Sequence, residues 1–418
     1  MGAKVLGVMN GGKLSLHGRS QKVWTQLDQT AEKGATNITL KEAVDWKVGD
    51  SIVVASTDFN AYQAEKRAVS AISTDKKVLS FTGGLSYMHY GQLQNYTSPS
   101  RTFTLDERAE VAVLTRNLYV KGDLDSETNG IGGHIMVMNG GKSYISNVEL
   151  YRMGQRKMIG RYPFHWHKTG NVAGQYIKNT SIHHSFNRVV TVHSAQNAWI
   201  ENNVGYDHVG HGFFLEDGDE TGCTFKNNLG ILTKKPTANE QVRPHDVEPD
   251  GLYFKLPATY WITNPKNNFI GNVAAGSEGS GFWMVILDHV MDNDTSAYIP
   301  GKQLMGVFDD NRSHSTGFSN FAIDRSVDAT THELKDAFGH YRPFNADGTA
   351  FVPKFNRFGS YKARDRGIWI RGNRMEFHDC ISADNGRATF FAYNQIMYNS
   401  LIVGRSSNNG NPVTATEI

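Results

Sequence analysis

The 418-residue sequence predicts an all-β protein: a single-stranded parallel β-helix over 131–418, capped or extended by an irregular β-rich region over 1–130. Three observations lead there. Abundant Asn, 42 Gly and only 11 Pro imply many tight turns, some at positive φ. Short apolar or β-branched runs dominate, and no long segment has helical period. An internal repeat begins after about residue 145.

Taken in order, Ile52–Ala55, Val78–Phe81, Val111–Leu114 and Leu118–Val120 read as strands, each bounded by Gly, Asp, Ser or Asn. Gly11-Gly12, Asp45 to Asp50 and Gly83-Gly84 punctuate this part. The best helical candidates, Gln26–Lys33 and Ser326–Asp336, are short. The N-terminal region repeats poorly, and its expected role is to cover an end of the helix, where strand edges would otherwise be unpaired.

The repeat runs through Ile177–Ile182, Ile200–Gly205, Phe225–Gly230 and Ile270–Ala274, with a weaker echo at Phe377–Gly386. Its units recur every 23 to 25 residues, or at a multiple of 23. Each joins a short apolar strand, an Asn-rich bend and a second strand such as Val189–Val192 or Gly212–Leu215. Such short units suit a β-helix, whereas a propeller blade needs about 40–45 residues. Asn at the bend, including Asn179, is expected to form a hydrogen-bonded ladder along the stack.

Composition also excludes. Lys+Arg is 43 and Asp+Glu 41, so the net charge of +2 argues against a globally basic nucleic-acid binder. Mean hydropathy is −0.45, and no apolar run approaches the ~18 residues of a membrane span. No apolar stretch of signal-peptide type opens the chain. Cys223 and Cys380 make neither a disulfide framework nor a four-thiolate metal site.

The chemistry-bearing residues concentrate between 152 and 220. His165, His167, His183, His184, His193, His208 and His211 fall there. Charge is sorted: Arg152, Arg156, Lys157, Arg161, Lys168, Lys178 and Arg188 come with no acid among them. Glu201, Asp207, Glu216, Asp217, Asp219 and Glu220 follow with no Lys or Arg. A basic coil is thus expected to stack on an acidic one, about 4.8 Å away. His165 and His167 stand at i and i+2 and share a side of one strand. The 23-residue offset aligns His193 with Glu216, so His167, His193 and Glu216 are expected in one solvent-facing column. Arg188 and His211 align at the preceding corner.

Several chemistries fit. Imidazoles and a carboxylate at strand spacing suit a divalent metal, with Zn, Ni or Ca considered and His165, His167, His193, His211 and Glu216 as candidate ligands. A metal-free acid/base set for glycoside cleavage would use His193, Glu216, His211 and Asp217. Arg and His could instead neutralise a uronate for elimination. The plainer alternative is a row of hydrogen-bonded surface histidines. Arg161 and Arg188 are candidate carboxylate binders, and Tyr162, Trp166 and Trp283 candidate sugar-stacking rings. The acidic turn Glu216–Glu220 admits Ca²⁺ without EF-hand spacing. His245 to Asp250 form a second polar cluster. Asn37, Asn95, Asn179 and Asn293 are weak glycosylation signals.

At these motifs the chain resembles the cell-migration-inducing hyaluronan-binding protein family, which includes the vertebrate transmembrane hyaluronidase. The resemblance rests on Gly160–His167, Ser181–Arg188, Val190–His193, Gly210–Gly218, Tyr260–Asn268, Ala274–Phe282 and Ala383–Gly386, with Ala109–Asn117 upstream. It implies a right-handed parallel β-helix, an extracellular setting and depolymerisation of hyaluronan or a similar acidic glycosaminoglycan. Hydrolysis within the polymer is favoured over β-elimination; a non-catalytic glycan-binding solenoid is the reading from another class. The chain begins after most of that family's glycine-rich domain, has few of its cysteines, and diverges over 234–255, as a distant or bacterial relative would.

Overall fold

The computed structural model describes residues 2–246, 257–293, 296–336 and 341–410. Three parallel sheets of ten strands each run the length of the molecule, and every coil contributes one strand to each. The first sheet includes His134–Met138, Phe164–Asn171, Val190–Gln196, Phe213–Leu215, Ala258–Ile262, Ser280–Met284 and Ser319–Ile323. Alternation along these strands decides what faces inward. Ile135, Phe164 and Val190 stack in one column, and Val137, Trp166, Val192 and Leu215 in the next. All seven lie in the main apolar core. On the second sheet, Phe225 and Phe269 stack with ring centroids 4.8 Å apart. No single coil could bury such a column alone, so stacking supplies the core.

The bend between the second and third sheets carries the asparagine ladder. Asn203, Asn228, Asn272 and Asn311 are fully buried, and each of the first three amides donates to the next side-chain oxygen at 2.9–3.0 Å. The residue before each takes a left-handed conformation: Asn202, Asn227, Gly271 and Asp310, with φ of 52–64°. Gly, Asn and Asp tolerate that region best, which explains the Asn-rich bends of the sequence. Asn179 lies outside the buried ladder, on its outer row, where it accepts from Asn202 at 2.8 Å. Thr180 holds the inner position of that coil.

The coil begins earlier than the expected boundary at 130/131. Val5–Val8 and Lys13–His17 pair in parallel with His134–Met138 and Lys142–Ser146. The chain then leaves, forms an antiparallel six-stranded sheet, and rejoins the third sheet at Leu118–Lys121. Strands Ser51–Val54 and Glu110–Val113 are covered on both faces. Ile52, Val54, Val111 and Val113 fill the layer's own core, while Val53, Ala55, Ala112 and Leu114 pack on Tyr206, Ile231 and Ala275 of the third sheet. Double coverage accounts for their unbroken apolar runs. The layer therefore lies along the flank of middle coils instead of capping an end. Neither helical candidate is helical: Gln26 ends a strand, and Ser326–Val327 pairs with Leu334–Lys335. Among the described residues the α-helix is the short Asp125–Asn129, and no helix is long and apolar enough to cross a membrane.

Candidate active site

The outward positions of the first sheet carry the site. His165 and His167 alternate with inward Phe164 and Trp166, and His167 lies in register with His193. Val192 pairs with Leu215, and the Glu216 N–H donates to the Val192 carbonyl, so Glu216 follows directly on the next coil. The His165 and His193 rings stack at 5.6 Å, and the His167 ring meets His193 edge-on at 4.8 Å.

The nitrogens converge. His167 Nδ1 and His193 Nδ1 are 3.1 Å apart. Glu216 Oε2 lies 3.4 Å from His193 Nδ1 and 3.9 Å from His165 Nε2. Both Glu216 Oε2 and His165 Nε2 are buried without a hydrogen-bond partner. The far side of each group is held. His165 Nδ1 faces the Gly160 carbonyl at 2.9 Å, His193 Nε2 lies 2.7 Å from Asp217 Oδ2, and the Tyr162 hydroxyl donates to Glu216 Oε1 at 3.2 Å. The Gly160 carbonyl thereby leaves the His165 Nε2 lone pair facing that spot, and Asp217 holds the His193 Nε2 proton, so that Nδ1 can offer a lone pair once its own proton is lost.

Burial sets the protonation. It drives His165 well below the usual imidazole range, helped by His193 and His167. Burial, then His193, brings His167 to about 4. Burial opposes charge on His193 too, but Glu216, Asp217 and Glu220 overcome it and raise it to about 9. Burial and the Glu216 charge push the Tyr162 phenol well above 10, so it stays a donor.

Several expectations need correction. The column is not solvent-facing: His165, His193 and Glu216 are buried and His167 is half-buried. Segments that interrupt the repeat cover it. Leu287 and Pro300 lie against Gly218, and the Met291 N–H donates to the Asp217 carbonyl. Within the turn Glu216–Glu220, Glu220 braces the backbone, accepting from the N–H groups of Ser194, Asp217 and Gly218. Trp166 is core, with its indole N–H donating to Gln175, and Trp283 is buried as well. Tyr162 is fully buried and holds Glu216 instead of offering a sugar-stacking face. Arg161 donates to Gln155 at 2.8 Å and lies against Gly2.

His211 belongs to a second, adjoining cluster with His245 and Asp246. Arg188 lies 2.6 Å from Asp246 Oδ1, and His211 Nε2 lies 3.5 Å from the same oxygen. Asp246 Oδ2 accepts from the N–H groups of Val242 and Arg243. Residues 247–250 of the polar cluster seen in the sequence lie outside the described residues. His183 faces Glu149 and His184 faces Asp207 on the third sheet, apart from both clusters. The basic coil does not pair with its acidic neighbour in the ion pairs described. Arg188 pairs with Asp246, Arg152 with Glu127 and Arg156 with Glu240.

Three contributors went unseen in the sequence: Arg243, Asp292 and His332. Arg243 Nη2 lies 3.7 Å from Glu216 Oε1 and 2.7 Å from Asp292 Oδ2; Nη1 lies 2.7 Å from His332 Nδ1. Each comes from a segment inserted between coils, where no repeat exists to align it.

Residues 130–321 match the family model described as CEMIP beta-helix. Mouse cell migration-inducing and hyaluronan-binding protein is 34% identical over 90% of this chain and 31% of its own length. Residues 130–321 thus form a CEMIP β-helix domain, and the chain is a distant relative of these proteins. Human cell surface hyaluronidase CEMIP2 is 32% identical, covering 89% of this chain and 30% of its own. Mouse Fibrocystin-L is also 32% identical, over 93% of this chain and 10% of its own. This chain therefore spans about a third or less of these relatives. A thermostable GH87 α-1,3-glucanase of Streptomyces thermodiastaticus aligns over 96% of this chain and 90% of its own. The two share 9% identity with a TM-score of 0.24.

Proposed function

We propose that this chain is the catalytic β-helix of an extracellular depolymerase that hydrolyses internal glycosidic bonds of hyaluronan or a similar acidic polysaccharide. The observation that carries this reading is the convergence of His165 Nε2, His167 Nδ1, His193 Nδ1 and Glu216 Oε2 beside the His193–Asp217 pair. Separations of 3.1–3.9 Å suit ligands arranged around one ion bonded at roughly 2.0–2.2 Å. Three imidazoles and one carboxylate favour Zn²⁺ or Ni²⁺ over Ca²⁺, which takes six to eight oxygens. Such an ion would supply Lewis acidity and a water of lowered pKa. The protein's own contribution is positional. Asp217 orients His193, Gly160 orients His165, and Tyr162 fixes Glu216 while its second oxygen stays free.

The named activity of the CEMIP2 relative, cell surface hyaluronidase, supports the substrate class and the extracellular setting. The likeness to mouse cell migration-inducing and hyaluronan-binding protein, whose name states binding, supports a second reading as a glycan-binding solenoid without turnover. The deciding experiment incubates the protein with high-molar-mass hyaluronan, with and without chelator. Chain shortening that chelator abolishes and Zn²⁺ or Ni²⁺ restores, with no ultraviolet absorbance of an unsaturated product, is expected. Binding with no shortening favours the solenoid, and an unsaturated product means elimination.

A further inference from the structure

We propose that Arg243 is the residue through which this site reads the carboxylate of its substrate, with Asp292 occupying that place in the free protein. The inference rests on the depolymerase reading and adds the determinant of substrate class. Neither Arg161 nor Arg188, the carboxylate binders that the sequence suggests, is placed for that role. Arg188 is fully buried, is neutralised by Asp246, and lies over the Phe214 ring at 4.3 Å. Arg161 is held by Gln155. Arg243 instead touches the candidate catalytic carboxylate, 3.7 Å from Glu216 Oε1.

Its surroundings form a gradient toward solvent. Glu216 is 1% exposed, Arg243 10%, His332 17% and Asp292 35%. The guanidinium thus lies between a buried carboxylate and an exposed one. Asp292 Oδ2 takes one Nη2 hydrogen at 2.7 Å, His332 Nδ1 faces Nη1 at 2.7 Å, and Nε is buried without a partner. Guanidinium matches a planar carboxylate through paired N–H donors. Exchange of Asp292 for a uronate carboxylate would keep the charge balance around Arg243 and would offer the idle Nε a partner. The aim of the side chain is fixed from behind: the N–H groups of Val242 and Arg243 both donate to Asp246, which Arg188 anchors. An arginine held in place loses less freedom on binding than a free one.

The test compares hyaluronan with carboxyl-reduced hyaluronan as substrates of the metal-loaded full chain. The wild type is expected to favour the native polymer by about tenfold or more in kcat/KM, the scale of a lost charge-assisted contact. Arg243→Gln should raise KM for native polymer and erase most of that preference. Asp292→Asn should lower KM, because the internal competitor is weakened. A merely structural Arg243 would instead lower the thermal midpoint and cut turnover of both polymers alike. Equal turnover of the two polymers by the wild type, or an unchanged preference in Arg243→Gln, overturns the proposal while leaving the depolymerase reading intact. If the wild type shortens neither polymer, that reading fails, and retention of short oligosaccharides decides the matter. Tighter retention of native than of reduced oligosaccharide by the wild type, lost in Arg243→Gln, supports Arg243; equal retention overturns it.

Discussion

Two buried clusters of similar composition adjoin on the first sheet and differ in what is left unsatisfied. In one, ring nitrogens of His165, His167 and His193 and an oxygen of Glu216 face a common point, and the buried Glu216 Oε2 and His165 Nε2 have no hydrogen-bond partner. In the other, His211 and His245 surround an Asp246 whose two oxygens are both engaged, by Arg188 and by backbone N–H groups. The His211 Nδ1 lone pair is used as well, by the Ala258 N–H. A site that already holds a buried guanidinium repels a cation, and a site with converging acceptors invites one. Histidine content alone does not separate the two clusters, and His245 Nε2 is unpartnered in the second; what differs is a carboxylate oxygen left unpartnered beside ring nitrogens in the first.

The sharpest break in that comparison comes from paired substitutions. His193→Ala and Glu216→Gln are each expected to cut depolymerisation by about 10²-fold or more, the usual scale for losing an acid/base group. Arg188→Ala should act differently, destabilising the fold by about 3–5 kcal/mol because Asp246 is left buried and uncompensated. Activity per folded molecule set against the thermal midpoint distinguishes the two. Full activity in both His193→Ala and Glu216→Gln would remove the first cluster from the chemistry.

Metal addition is next in size. Zn²⁺ or Ni²⁺ at 100 times its Kd should raise stability by about 2.7 kcal/mol. His167→Ala should abolish most of that gain, whereas His245→Phe should leave it. An unchanged melting curve with either ion would sink the metal assignment.

Acid sharpens the contrast further. Burial lowers His245 to about 3, with Asp246 opposing it and Arg188 and Arg243 adding to it. An imidazole depressed in the folded state binds fewer protons there than in the unfolded chain. Stability should therefore fall as pH drops from about 6.5 toward about 3, by up to ~1.4 kcal/mol per pH unit for one such group. His245 stacks on Trp261 at 4.8 Å with an 8° interplanar angle, so Phe is a fair replacement. Chemical-denaturation stabilities of His245→Phe across that window should show a shallower slope than the wild type; parallel slopes would mean that His245 does not titrate as argued.

Much of this was legible in the sequence for a stated reason. The repeat period and strand alternation together fix which residue stacks on which, and so place His193 over His167 and Glu216 one coil on. The same alternation, applied strictly, turns Trp166 inward, because it stands between two outward histidines. Burial of the column was not legible, because the segments that cover it break the repeat and carry no period of their own. Arg243, Asp292 and His332 meet only through that cover. Asp246 is adjacent in sequence to His245, yet its pairing with Arg188 spans 58 residues, beyond any local cue. The antiparallel layer was visible as strands, but its placement along the flank depends on apolar residues on both of its faces.

The smallest expected effect concerns Arg161. Its place before the His-containing strand made it a candidate carboxylate binder, but its guanidinium donates to Gln155 on the far side of that turn and packs on Gly2. A half-buried arginine with a neutral partner contributes little, and substitutions of this kind usually stay within about 0.5 kcal/mol. Arg161→Ala should therefore leave KM for hyaluronan and its salt dependence near wild-type values, in contrast to Arg243→Gln. Salt is the useful second readout, because a lost contact to a polyanion weakens the response of binding to ionic strength, whereas a small packing defect does not. A large rise in KM for Arg161→Ala, with the thermal midpoint unchanged, would move the substrate path to the basic corner at Arg152–Arg161 and away from the cover that holds Arg243.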